Sequence, residues 1–200
     1  MRIAAIILAA GEGRRMGQPK AFVPWHDGTL LAHACSLFAR PGIDAVVAVI
    51  GASAERVRQL RLPTGVTVVE NEGWRDGMLS SVWRGLDAAE ELGVEAVLLH
   101  PVDHPLVTPE TVDRVVAALE AGAFAVAPTH EGRRGHPGGF GREAFAALRG
   151  ASPDEGARAV LAGHPDRVVH VEGDAGCRVG LDTPDEWRRH HSPRGDPRGG

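Results

Sequence analysis

Short, unbroken apolar runs alternate with amphipathic segments along this chain, and few folds accommodate that rhythm. Ile3 to Ala9, Ala45 to Ile50, Val66 to Glu70, Ala96 to His100 and Ala123 to Ala127 read as strands, because strands covered on both faces show continuous apolar runs. Leu30 to Ala39, Ala54 to Leu60, Leu79 to Leu92 and Pro109 to Ala121 read as the helices between them. The alternation predicts the α/β class, a three-layer α/β/α sandwich around a mostly parallel sheet. Two helix starts are explicit: Thr108-Pro109-Glu110 and Thr183-Pro184-Asp185-Glu186 each offer an N-cap hydroxyl, a proline at the first helical position and an early acid.

At 200 residues and 43% hydrophobic content, the chain can bury one core, and we expect a single domain over residues 1–190. Residues 191–200 are expected to be a disordered tail, since proline, glycine, arginine and aspartate from Ser192 onward bury too little apolar surface to order themselves. Between Thr129 and Gly141 the glycine-rich, basic sequence predicts a loop over the sheet edge.

A formal net charge of −4 argues against a general nucleic-acid binder, which must neutralise many phosphates. Cys35 and Cys177 lack the paired spacing of a zinc site or disulfide framework and read as buried apolar residues. No apolar stretch approaches the roughly 20 residues that span a bilayer. The apolar start, Met1 to Ala10, is only about ten residues long and runs straight into Gly11-Glu12-Gly13-Arg14-Arg15, so the expected location is cytoplasmic, away from membranes.

The first strand feeds into Leu8-Ala9-Ala10-Gly11-Glu12-Gly13-Arg14-Arg15-Met16-Gly17-Gln18-Pro19-Lys20. A glycine-rich turn at the carboxyl end of a parallel strand lets backbone N–H groups approach an anion, and Arg14, Arg15 and Lys20 can neutralise a triphosphate. The spacing excludes a P-loop, because Gln18-Pro19 separates Gly17 from Lys20. It also excludes a dinucleotide fingerprint, because no acid ends the next strand at Val49-Ile50-Gly51. A second signal is Asp103, emerging from the apolar run Leu98 to Val102, and a third is Asp182 between Leu181 and a helix start. Two such acids suit Mg²⁺, which takes one or two carboxylates and completes its shell with water and phosphate oxygens.

The segments Leu8 to Lys20, Asn71 to Ser81, Pro101 to Thr111, Gly135 to Phe140 and Leu181 to Glu186 together resemble the MobA-like NTP transferases, in particular their molybdenum cofactor cytidylyltransferase-like branch. The resemblance runs from Ile3 to about Trp187 and implies a Rossmann-like nucleotidyltransferase fold. It implies that Leu8, Ala9, Ala10, Gly11, Gly13 and Arg14 bind the nucleotide, with Lys20 and Arg15 on the triphosphate, and that Asp103 and Asp182 hold Mg²⁺. Lys20, Arg15 and Asp103 would carry catalysis. Ser80, Ser81 and His136 are expected at the acceptor, and Arg158 either reaches a substrate phosphate or forms a surface ion pair. Gly180 stands where relatives carry a further acid, and Pro101-Val102-Asp103-His104-Pro105 departs from their glycine and glutamine around the acid.

The implied reaction is transfer of CMP from CTP to a phosphorylated molybdopterin-type acceptor, with release of pyrophosphate and a molybdoenzyme or its chaperone as partner. Two alternatives stay open: transfer to a sugar or polyol phosphate, and a non-catalytic module that binds and delivers nucleotide or cofactor.

Overall fold

The computed structural model describes residues 1–152 and 156–191, so the expected tail from Ser192 onward lies outside the described residues. The chain starts with β1 (Ile3–Leu8), the hairpin β2 (Pro24–Trp25) and β3 (Gly28–Thr29), and helix α1 (Leu30–Phe38). It continues through β4 (Ala45–Ile50), α2 (Ala54–Val57), β5 (Val66–Glu70), α3 (Met78–Glu91), β6 (Ala96–Pro101) and α4 (Pro109–Glu120). Next come β7 (Ala125–His130), β8 (Arg133–Arg134), β9 (Gly138–Gly141), α5 (Phe145–Gly150), α6 (Arg158–Gly163), β10 (Val168–Glu172) and α7 (Pro184–His190).

The main sheet has the order β10-β7-β9-β6-β1-β4-β5, with β8 paired to β7. The pairs β1/β4, β1/β6, β4/β5 and β10/β7 are parallel, and β9 is antiparallel to both β6 and β7. Successive side chains of β1 enter opposite layers, as strand geometry requires. Ile3, Ala5 and Ile7 pack with α1 and α4 residues such as Leu31, Phe38 and Val115, whereas Ala4, Ile6 and Leu8 pack with Leu79, Val82 and Leu86 of α3. This is the three-layer, mostly parallel α/β architecture. Both cysteines are free and buried, and burial pushes the Cys35 thiol up to about 12. No helix among the described residues is long and apolar enough to cross a membrane.

The expected loop over Thr129 to Gly141 is not one. Its second half is the buried strand β9, inserted between β6 and β7 in the middle of the sheet. The glycines that suggested flexibility serve close packing instead: a Cβ on Gly139 would lie 2.8 Å from Val115 Cγ1 of α4, and one on Gly141 would lie 2.6 Å from the Ala123 carbonyl. The strand expected at Ala123 to Ala127 is displaced to Ala125–His130, because parallel pairing with β10 draws Thr129 into the ladder opposite Glu172. Helix α2 stops at Val57, short of the expected Leu60.

Both explicit helix starts form as written. Thr108 caps α4, and Thr183 with Glu186 forms a reciprocal capping box on α7. The start of α4 is also tied to the far edge of the sheet by Asp174, which follows β10. Its Oδ2 accepts from Thr108 N at 3.0 Å, Thr108 Oγ1 at 3.0 Å and Thr111 Oγ1 at 2.5 Å. Burial pushes this carboxyl up, but the hydrogen bonds from Thr111 and Thr108 overcome that and hold it below the ordinary carboxylate value.

A folded-state pKa below the unfolded one gives stability that is complete above the unfolded value and lost as pH falls through the folded one. Asp174→Ala should therefore cost about 1–3 kcal/mol in urea unfolding at pH 7. The gap to wild type should narrow as the titration is repeated toward pH 3. A gap that is constant with pH would show that the carboxylate charge contributes nothing.

Candidate active site

The site lies at the carboxyl ends of β1 and β6, and the turn after β1 is shaped by its glycines. Gly13 takes a left-handed conformation at φ 67°, and a Cβ there would sit 1.9 Å from the Gln18 carbonyl oxygen, so only glycine lets the turn close on itself. Buried Met16 pins the turn to the core while Arg14 and Arg15 stay exposed beside it. Ala9 N–H donates to Val49 O and the Ala10 carbonyl accepts from Ala52 N–H, both at 2.9 Å, which fastens the turn's first residues to β4. A cleft of about 270 Å³ opens above it. Leu8, Ala9, Gly11, Gly13 and the three cations form one wall, and Asp103 with Asp182 faces them. Ala10 is buried just behind that wall.

Lys20 is the hub. Its Nζ donates to Asp103 Oδ2 and, at 2.6 Å, to Asp182 Oδ1, and Arg15 Nη2 reaches the same Asp182 oxygen at 3.0 Å. Burial alone would lower the Lys20 pKa, yet the facing charges of Asp103 and Asp182 outweigh it and raise it. The Asp182 carboxyl is held below its ordinary value, chiefly by the hydrogen bond from Lys20, against burial and with help from Arg15. Arg14 pairs with Glu12 at the rim.

The two acids meet through the backbone, since Leu181 N–H donates to the Asp103 carbonyl at 2.8 Å. The α7 capping box then sets the direction of Asp182: Glu186 Oε2 accepts from the N–H groups of Asp182 at 2.8 Å and Thr183 at 2.9 Å.

This arrangement suits a divalent cation. Asp103 Oδ1 is buried and has no hydrogen-bond partner, and the two carboxylates already converge on one positive charge. Among the described residues no group of three or more His, Cys, Asp or Glu side chains could hold a metal, so an ion here would depend on phosphate and water for its remaining ligands. Gly180 supplies no third acid. A Cβ there would lie 3.3 Å from His104 Nε2, so this histidine closes the space beside it.

The acceptor candidates divide. Ser80 and Ser81 are engaged by Asn71, whose Nδ2 donates to their hydroxyl oxygens at 2.8 and 3.0 Å, and Ser80 Oγ also lies 2.8 Å from the Gly77 carbonyl. They brace the turn ahead of α3 and do not line the cleft; Met78, 63% exposed, lines it instead. His136 and Arg158 line an adjoining cavity that shares Leu8, Met78 and Pro101 with the first. The His136 ring stands 4.5 Å from that of His104, centroid to centroid, and burial together with His104 lowers its pKa to about 4, leaving it neutral at pH 7.

Met78, Pro101 and the histidine row His100, His104 and His136 were not read from the sequence as a group. Only the proline and histidine flanking Asp103 hinted at them, as departures from the resembled pattern.

The family model described as the MobA-like NTP transferase domain matches residues 5–168. The chain belongs to this family. This MobA-like NTP transferase is 31% identical over 196 residues to the molybdenum cofactor guanylyltransferase of Rhodobacter capsulatus, covering 96% of this chain and 92% of that one. It is 38% identical over 140 residues to the 2-C-methyl-D-erythritol 4-phosphate cytidylyltransferase of Cereibacter sphaeroides, covering 66% of this chain and 60% of that enzyme. Among solved structures, Rv0371c of Mycobacterium tuberculosis H37Rv superposes with a TM-score of 0.80 at 28% identity, covering 94% of this chain and 97% of that one. A manganese complex of that protein is also similar, with a TM-score of 0.70. The MobA-like chain is thus a nucleotidyltransferase by family, and enzymes of this kind use divalent metals.

The Lys20 network gives a direct test of the cleft. Lys20→Ala removes the cation shared by two acids and should weaken binding of an NTP with Mg²⁺ by about tenfold or more in isothermal titration calorimetry, the order expected for a lost charge-assisted contact. Unchanged affinity would remove Lys20 from the triphosphate site.

Proposed function

We propose that this chain transfers CMP from CTP to a phosphorylated molybdopterin-type acceptor and releases pyrophosphate. The observation that carries the transfer reading is the convergence of Lys20 and Arg15 on the paired acids Asp103 and Asp182 at the mouth of a glycine turn. Cytosine as the base is supported by the Ala9-Ala10 pair at the start of that turn and by the similarity to cytidylyltransferases. The acceptor is supported by similarity over nearly the whole chain to a molybdenum cofactor enzyme.

In this reading an acceptor phosphate oxygen attacks the α-phosphorus in line with the departing pyrophosphate. The new P–O bond forms as the bond from the α-phosphorus to the bridging oxygen breaks, and that oxygen leaves with the electron pair. No protein nucleophile takes part. The backbone of Gly11 and Gly13 lies close to the phosphates, and Lys20 and Arg15 turn from the carboxylates to the triphosphate, where negative charge grows on the leaving group. Asp103 and Asp182 would hold Mg²⁺, which supplies charge compensation for the triphosphate. Positioning two anions against each other is most of the chemistry, and the network of fixed opposite charges is suited to it.

A second reading, transfer to a polyol phosphate, draws on the similarity to the erythritol phosphate enzyme. A pyrophosphate-release assay separates the two readings. CTP with molybdopterin should support turnover, and EDTA should abolish it. Asp103→Ala should lower kcat by about 10²–10³, the usual cost of removing a group that stabilises transition-state charge. Release with GTP in place of CTP would correct the base, and release with 2-C-methyl-D-erythritol 4-phosphate alone would correct the acceptor. Nucleotide binding with silence throughout would favour a non-catalytic delivery module.

A further inference from the structure

Lys20 and Asp182 are linked twice, and one of the links lies outside the cleft. From Lys20 the chain runs through a single 3₁₀ turn, Lys20–Phe22, to Pro24 at the start of the β2–β3 hairpin. From Asp182 it runs through the capped first turn of α7 to Trp187. These two short segments meet at the cleft, where Lys20 Nζ donates to Asp182 Oδ1 at 2.6 Å. They meet again at their other ends, where Trp187 Nε1 donates to the Pro24 carbonyl at 2.8 Å.

Neither segment has slack. Phe22 N–H donates to the Pro19 carbonyl at 3.0 Å and Val23 N–H to the Lys20 carbonyl at 3.1 Å, while the Val23 carbonyl accepts from Leu30 N–H at 2.9 Å. Pro24 is therefore fixed relative to the Lys20 backbone and fastened to the start of α1. On the other segment Glu186 Oε2 accepts from Asp182 N–H, and Trp187 N–H donates to the Thr183 carbonyl at 3.0 Å. The indole is itself seated: it packs against the core on the α1 side, and His191 stacks on it with ring centroids 4.4 Å apart and 17° between the planes.

We propose that Trp187 is a positioning residue for Asp182: its indole N–H, on the Pro24 carbonyl, keeps the Asp182 carboxylate within reach of the cleft once Lys20 has let go of it. The inference rests on the nucleotidyl-transfer reading, in which Lys20 turns to the triphosphate and the link inside the cleft opens. Leu181, whose N–H donates to the Asp103 carbonyl, anchors the chain on one side of Asp182, and Trp187 anchors it on the other. With the first anchor alone, Asp182 would lead into a seven-residue helix that has no buried residue and shifts at low cost. A carboxylate on a wandering backbone binds a cation less well, because binding must then supply the ordering.

Trp187→Phe keeps an aromatic ring against His191 and removes the donor. An indole isostere with sulfur in place of the N–H, β-(3-benzothienyl)alanine at position 187, removes the donor with the ring's shape unchanged and serves where phenylalanine unsettles the helix. Mn²⁺ binding to the full chain saturated with CTP or GTP, followed by the electron paramagnetic resonance of the free ion, should weaken by about threefold to tenfold in both variants, the scale of one hydrogen bond. Nucleotide binding in EDTA should stay as in wild type. In an Asp182→Asn background the same change at position 187 should add nothing, since Trp187 acts through that carboxylate.

Unchanged Mn²⁺ affinity in both variants, with nucleotide still bound, overturns this inference and spares the transfer reading. An equal loss in the Asp182→Asn background does the same, because the effect of Trp187 then runs by another route. A loss with phenylalanine that the isostere does not share traces to packing and also overturns it. Wild-type protein that binds Mn²⁺ no more tightly with nucleotide than without it overturns the transfer reading itself and this inference with it.

Discussion

One lysine holds the site together. Lys20 Nζ bridges Asp103 and Asp182, and those three residues come from the turn after β1, the exit of β6 and the approach to α7. Two acids brought this close would repel each other, and at 18–37% side-chain exposure the charges have given up much of their water. Paired charges in such a setting contribute little net stability, since desolvation offsets their attraction. In the transfer reading proposed above, their value is electrostatic preparation: opposite charges are fixed in place before a triphosphate and its metal would arrive to re-partner them.

Sheet topology explains why the lysine finds its partners there. From β1 the chain builds outward through β4 to β5, then crosses back so that β6 lies on the other side of β1. The connections after β1 and β6 therefore leave the same edge of the sheet and diverge, opening a crevice where open α/β sheets bind ligands. Parallel pairing of Leu8 with Pro101 sets the two exits level, so the glycine turn and Asp103 start from the same height. Antiparallel β9 pairs on the far side of β6, and His136 just before it lines the cavity that adjoins the cleft.

What could be read from the sequence follows from how local each cause is. The turn after β1 was legible because glycines and cations after a buried strand have few structural explanations, and Asp103 because an acid ends an apolar run. The Thr183 cap was legible because every partner in a capping box lies within four residues. The nature of β9 was hidden: its glycines look like loop glycines, and the reasons for them, Val115 and Leu119 of α4 against Gly139 and the Ala123 carbonyl against Gly141, lie well away in sequence. Ser80 and Ser81 resembled ligand hydroxyls at a helix start, but Asn71 at the exit of β5 engages both. The place of Arg158 depends on where α6 settles against β6 and β9, which no local pattern states.

The two acids stand on different mechanical footings. Asp103 leaves a strand whose residues are buried throughout and which is paired on both sides, so its backbone has little freedom. Asp182 precedes α7, a seven-residue helix with no buried residue, held by its own capping box and by Trp187 Nε1 donating to the Pro24 carbonyl at 2.8 Å. Segments with few buried apolar contacts open and shift at the lowest cost in free energy. In the transfer reading proposed above, a triphosphate and a cation that displaced Lys20 would meet Asp103 as the more fixed acid, and Asp182 would adjust only beyond Leu181, which is buried and bonded to the Asp103 carbonyl. On that reading an acid with some freedom would suit a metal that keeps several waters and tolerates little departure from octahedral geometry, because the second carboxylate could settle after the phosphates.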